Sequence, residues 1–286
     1  MRLNTGESSN VEDRRGRGGM VAGGGIGALV LGLLYMLLGG NPDPNGGGVT
    51  IPGASPPAQQ VDPANDTEGH FAKQVLASTE QTWIDVFQKM GQQYQPPTLV
   101  LFDGVTGTAC GTGQSAMGPF YCPNDAKVYI DLSFYRELEQ RFNAPGDFAK
   151  SYVLAHEVGH HVQNLLGVSE QVQRAEQAAS SKEEANSYSV KLELQADCLA
   201  GVWANQARQR GELEINQADV QTALNAATAI GDDKLQQEAQ GRVVPESFTH
   251  GSSAQRVEWF SRGLQGGDIR QCDTFNGQAQ GLMGAR

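Results

Sequence analysis

Three of the chain's five histidines fall within six consecutive positions, at His156, His160 and His161. They lie in a stretch, 148–166, that reads as one helix stopped by Gly167. His156 and His160 are four residues apart, so on a helix both imidazoles leave one face about one turn from each other. Two neutral ring nitrogens placed in this way can bind one Zn²⁺. Glu157, next to the first of them, can reach a water at the ion and take its proton. His161 is turned about 100° from His160 and cannot share that geometry, so it is expected to be structural. A catalytic zinc site takes three protein ligands and leaves a fourth position open. The motif therefore demands that a second segment be packed face to face with its helix.

The second segment is expected in Glu193-Leu194-Gln195-Ala196-Asp197, inside a long helix spanning 181–211. Ser181 and Glu184 form a capping box at its start. Glu193 and Asp197 again share a face. Glu193 is expected to be the third metal ligand. Asp197 is expected to accept the free N–H of a ligating histidine and so orient its ring. The two roles could be exchanged, since residue type and spacing barely separate them. Leu192, Leu194 and Leu199 would pack this helix against the first. His250 lies in a loop before the last helix, and could donate to the negative charge that develops on a carbonyl oxygen during hydrolysis. Arg256 would be a nearby cation. The plainer alternative is a loop that only leads into a helix capped by Ser252. His70 is expected on the surface or at a cap.

No charged residue occurs between Arg17 and Asp43. The apolar centre of that stretch, 20–38, approaches the roughly 20 residues needed to cross a bilayer. Arg14, Arg15 and Arg17 precede it, which predicts a cytoplasmic segment 1–19 and places the remainder outside. Gly23 and Gly27 form a small-xxx-small pair that would allow dimerisation. A cleaved signal peptide is the alternative, but the stretch is long for one and no Ala-x-Ala follows Leu38. Residues 39–67 hold six Gly and six Pro and read as a tether.

The domain then spans 68–286. Its four cysteines, all beyond the apolar stretch, suit two disulfides in an oxidising compartment. Of the three pairings, Cys110–Cys122 and Cys198–Cys272 are expected. A cysteine zinc site is the alternative, but no Cys-x-x-Cys spacing exists.

Apolar spacing predicts a helix from Phe71 to Met90, with Val75, Leu76, Trp83, Val86 and Phe87 on its buried face. A strand is expected at 98–102 and a hairpin from 119–122 and 127–131. Further helices are expected at 133–142, 216–230 and 252–264. The fold class is α+β, helix-rich with a small sheet. The chain carries 21 Lys+Arg against 32 Asp+Glu, a net charge of −11. That balance argues against nucleic acid as a partner and against attachment to anionic lipid by surface charge.

On these residues the chain resembles the bacterial membrane-anchored neutral zinc metallopeptidases, a family of HExxH zincins of the two-His, one-Glu type. The likeness runs through Asn10–Arg15, Gly118–Pro123, His156–Gln163, Glu193–Cys198 and Phe248–Arg256. The segment around Thr249 and His250 is also similar to the Thr-His-Pro…Arg segment of other membrane-linked zincins, with Gly251 in place of Pro. The resemblance implies a zincin-like domain behind one transmembrane helix. It also implies an edge strand able to hold an extended peptide, and roles near the transition state for His250 and Arg256. The expected function is an anchored zinc endopeptidase acting on proteins or peptides on the periplasmic or extracellular side. The alternative is a zinc-stabilised binding or scaffold module of the envelope. Glu157 favours the enzyme, because a scaffold needs no carboxylate beside its ligand. A cell-wall peptide is a third candidate substrate.

Overall fold

Alternation along two short strands sets the position of the core. The computed structural model describes residues 1–16 and 62–275. In it, strand β3 (Thr98–Leu101) pairs in parallel with β7 (Lys127–Ile130), aligning Leu99 with Val128 and Leu101 with Ile130. These four side chains point into the main core. Val100 and Tyr129, on the other face, build a small second core with Phe102, Cys122 and Phe120. Strand β2 (Val11–Asp13) adds in parallel outside β3, and β6 (Phe120–Cys122) adds antiparallel outside β7. The sheet order is therefore β2-β3-β7-β6, with β6 at an edge.

Helix α1 (Thr67–Lys89) opens at Asp66, whose side chain accepts the N–H of Gly69. It buries Val75, Leu76, Trp83 and Phe87, as the spacing predicts. Helix α2 (Ser133–Gln140) follows the sheet and leads to α3 (Asp147–Leu165), which carries the histidines. Helix α4 (Val168–Ala178) comes next, and then α5 (Lys182–Gln209), capped by Ser181 and carrying Glu193. The remaining helices are α6 (Gln217–Ala229), α7 (Asp232–Gln240) and α8 (Ser253–Gly266). Ser252 does cap α8, in a capping box with Gln255. The expected α+β architecture is thus present. Helices α4 and α7 were not foreseen. Nor was the hairpin β4 (Val105–Thr108) and β5 (Gly111–Gln114), which has the composition of a glycine-rich loop.

Two glycines let α5 and α8 touch backbone to backbone. A Cβ on Gly263 would lie 2.0 Å from the carbonyl oxygen of Cys198, and one on Gly201 would lie 2.3 Å from that of Phe260. Both expected disulfides are present. Cys110–Cys122 ties the β4–β5 turn to β6, and Cys198–Cys272 ties α5 to the C-terminal segment.

Residues 1–16 do not stand apart as a separate segment, and the expected boundary at 68 is corrected here. Strand β1 (Arg2–Leu3) pairs with β8 (Leu213–Glu214), while β2 completes the four-stranded sheet. The Arg15 guanidinium donates to both carboxylate oxygens of Asp66, at 2.9 and 2.6 Å, just before α1. Arg14 donates its backbone N–H to Leu101 and its side chain to Thr106. These ladders make residues 1–16 part of the same folded body as the domain. The apolar stretch 20–38, with Gly23 and Gly27, lies outside the described residues, as do most of the tether and the last eleven positions. Among the described residues no helix is long and apolar enough to cross a membrane.

Candidate metal centre

Helices α3 and α5 meet where Gly159 faces Ala196. A Cβ on Gly159 would stand 3.1 Å from the Ala196 carbonyl oxygen, so glycine allows the close approach. That contact brings His156, on the turn before Gly159, and His160, just after it, to Glu193 one turn before Ala196. His156 Nε2 is 3.2 Å from Glu193 Oε2, and His160 Nε2 is 3.4 Å from Glu193 Oε1. One ligand atom from each of the three residues lies within 4.8 Å of the other two.

This donor set fits zinc. Ligands bound tetrahedrally at about 2.0–2.1 Å sit roughly 3.3 Å apart, the spacing of Glu193 from each histidine here. Each ring also has its other nitrogen occupied. His156 Nδ1 is 2.9 Å from Asp197 Oδ1, and His160 Nδ1 is 2.8 Å from Gln163 Oε1. Both acceptors hold a proton on Nδ1, so Nε2 is the nitrogen each ring turns toward Glu193 and a metal. The geometry separates the two acids that the sequence left interchangeable. Glu193 faces both Nε2 atoms, and Asp197 sits behind His156.

Asp197 is fully buried and is held by three further bonds. Tyr152 donates at 2.6 Å, and Arg256 donates through Nε at 2.9 Å and Nη2 at 3.0 Å. The paired donation from one guanidinium gives a charge-assisted fork. Arg256 therefore acts on Asp197, not on the cleft directly. Electrostatics follow from this packing. Burial works against a charge on His156, but Asp197 and Glu193 outweigh it and raise its pKa to about 10. Burial likewise opposes ionisation of Glu193, yet His160 and His156 hold its carboxyl well below the usual range. Glu157 goes the other way: burial raises it, only partly offset by the two histidines. A carboxyl raised in this way is more basic than an exposed one, which suits it to taking up and returning a proton.

His250 reaches the site from the loop before α8. Its charge helps hold the Glu193 carboxyl down, and about half of its side chain is open to solvent. Its loop is fastened from two sides. Ser189 of α5 donates to the Thr249 carbonyl at 2.9 Å. Asp232, the first residue of α7, accepts the backbone N–H of Thr249 at 2.7 Å, of His250 at 2.6 Å and of Gly251 at 3.1 Å. The same carboxylate lies 3.2 Å from His250 Nδ1. Burial opposes the charge on His250, but Asp232 and Glu193 outweigh it and raise its pKa. Sequence reasoning missed Asp232, because an acid opening a helix is an ordinary feature of first turns. It also missed Tyr152, Gln163 and Gln195, which carry no motif of their own. Gly251 explains a departure from the Thr-His-Pro pattern. Its φ is +91°, which proline cannot adopt.

His161 is buried against Tyr94 and Tyr121, away from the ligand set. Its Nε2 donates to the Gln95 carbonyl at 2.6 Å, and its Nδ1 accepts from the Tyr121 hydroxyl at 3.0 Å. It anchors α3 to strand β6, the structural role expected. His70 contacts Glu7 at 2.7 Å, near the surface and far along the chain from the cluster.

The family model described as Putative neutral zinc metallopeptidase matches residues 1–275. The chain belongs to this family. The match begins at residue 1, so the family, like the fold, includes the N-terminal strands. The chain is 51% identical to Uncharacterized protein YpfJ of Escherichia coli (strain K12), over 94% of this chain and 96% of the relative. It is 48% identical to Uncharacterized protein Rv2575 of Mycobacterium tuberculosis, over 64% of each chain. No solved structure matches the chain.

Proposed function

We propose that the protein is a zinc-dependent endopeptidase that hydrolyses proteins or peptides. The observation that carries this reading is the convergence of His156, His160 and Glu193, with Glu157 raised in pKa on the same helix turn. Zinc held by the three ligands would polarise the scissile carbonyl and make a water more acidic. Glu157 accepts that water's proton and returns it to the leaving amine. His250 donates to the oxygen that gains negative charge, and Asp232 supports it in that role. Asp197, clamped by Tyr152 and Arg256, keeps His156 in its binding orientation. Among the described residues strand β6 lies at the edge of the sheet beside α3, joined to it through Tyr121 and Asn164. An extended substrate would add there by main-chain hydrogen bonds.

The two disulfides support a domain on the periplasmic or extracellular side. The apolar stretch 20–38 supplies membrane attachment in this reading. The docking of β2 on β3 argues against an N-terminus left on the opposite side.

The test uses the full chain in detergent, with metal content and hydrolysis of an unfolded protein measured together. The parent should bind one zinc and cleave. Glu157→Gln should keep the zinc and lose at least about 10²-fold in rate. Glu193→Ala should lose the zinc. A parent and a Glu157→Gln variant that are both zinc-loaded and equally inert would favour the scaffold reading. A muropeptide substrate run in parallel separates cell-wall peptides from proteins.

A further inference from the structure

The two ligating histidines are held by different chemistry. His156 rests on a carboxylate, whereas His160 rests on the side-chain amide of Gln163. An amide can present either its oxygen or its NH₂ to a ring nitrogen, and only the oxygen leaves Nε2 free for a metal. Something must fix which end faces His160.

That choice can be traced through the buried groups. The carbonyl of Cys272 can only accept, so Gln195 turns its NH₂ toward it, at 3.0 Å. The Gln195 oxygen is thereby left facing Gln163, which donates to it at 3.0 Å. The second hydrogen of the Gln163 NH₂ goes to the Leu192 carbonyl, another obligate acceptor, at 2.7 Å. With both hydrogens committed, Gln163 turns its oxygen to His160 Nδ1, which must carry the proton. Both glutamines are fully buried, so water cannot substitute for a missing partner. The far end of the relay is held in place covalently. Cys272 is disulfide-bonded to Cys198, one turn along α5 from Gln195, and Thr274 donates to the Lys191 carbonyl at 2.7 Å.

We propose that Gln163 and Gln195 are positioning residues that set the tautomer of His160, and that the Cys198–Cys272 disulfide holds the relay in register. The inference rests on the reading of His156, His160 and Glu193 as a zinc site. Reduction of this disulfide would free the Cys272 carbonyl and loosen zinc at a ligand that no cysteine touches.

The test is a zinc dissociation constant for the zinc-stripped full chain, by competition with a chromogenic chelator and without any activity assay. Gln163→Leu should weaken binding by about 10–100-fold. Gln195→Leu does not touch His160 and should still weaken it in the same direction. The double variant should lose no more than Gln163→Leu alone, since both act through one ring. Cys198→Ala with Cys272→Ala should mimic Gln195→Leu. Circular dichroism of the zinc-free variants checks folding. For any variant too unstable to titrate, ¹⁵N shifts of the His160 ring in Gln195→Met, which removes the oxygen that accepts from Gln163, supply a second readout, expected to move toward mixed tautomers. A folded Gln195→Leu that binds zinc as tightly as the parent, or an unmoved His160 spectrum, overturns the relay. A parent that binds no zinc overturns the metal site itself.

Discussion

Asp197 is the most heavily committed side chain of the centre. It serves Tyr152, His156 and Arg256 together, and Arg256 is itself only 2% exposed. Asp197→Ala would leave a guanidinium buried without its partner. We expect a loss of about 3–5 kcal/mol, read from urea denaturation of the zinc-free protein. A change below 1 kcal/mol would mean that Arg256 finds water instead. The histidines set a pH response. His156 has a folded pKa raised to about 10. Its contribution to the zinc-free fold is therefore complete below its ordinary value near 6.5 and fades as pH climbs through about 10. Glu193 and Asp197 are depressed, so their contribution is present above ordinary carboxylate values and fades as pH falls through their lower folded ones. The zinc-free protein should be most stable between these limits. Zinc must displace the His156 proton, so binding at pH 7 should release protons and tighten as pH rises. Calorimetry in two buffers of different ionisation enthalpy measures that release. Identical heats in both would show His156 already neutral.

Among the elements, the close pairing of α5 and α8 joins fold to site, because α5 carries Glu193 and Asp197 and α8 carries Arg256. Gly263→Ala drives a Cβ into the Cys198 carbonyl. Helix propensity would favour alanine by about 1 kcal/mol. The clash should outweigh it, with a net loss of about 1–3 kcal/mol and weaker zinc binding. Gly6→Ala, in open space, is the control. A Gly263→Ala variant as stable as its parent would show that the helices slide apart freely. What was legible in the sequence follows the same division. Helices α1, α3, α5, α6 and α8 announce themselves by long periodic runs and caps. Where α3 and α5 cross lies the candidate ligand set, legible because metal chemistry needs fixed residue types at fixed spacing. Helix α4, rich in Gln and Glu, has only two buried residues, Val168 and Val172, too few to set a period. Helix α7 buries Asp232 for the sake of the neighbouring loop, and no local pattern records that debt. The amides of Gln163 and Gln195 are invisible for the same reason: their partners are backbone carbonyls distant in sequence.

At the scale of the whole molecule, the N-terminal strands carry the largest correction. The charge pattern beside an apolar stretch set residues 1–19 apart from the domain as a separate segment. The parallel ladder of Val11–Asp13 with Leu99–Leu101 places residues 1–16 with the domain. The reason the sequence misled is that strands of two and three residues have no period to read. The prediction is direct. Protease sites inserted at Gly6 and at Gly241, both with open surroundings, should be cut from the same side of sealed membranes. Cutting from opposite sides would mean that β2 is undocked in the cell.

The Arg15–Asp66 clamp has a practical corollary. The described residues break off at 16 and resume at 62, and Arg15 and Asp66 staple these two points together. A fragment cut at residue 68 would lack β2 and bare the edge of β3, whose Leu99 and Leu101 belong to the core. Such an edge invites association between copies. Splicing residue 16 to residue 62 through a Gly/Ser bridge of about ten residues, roughly 30 Å at full stretch, would instead keep every strand. That splice, not the truncation, would keep the described domain whole.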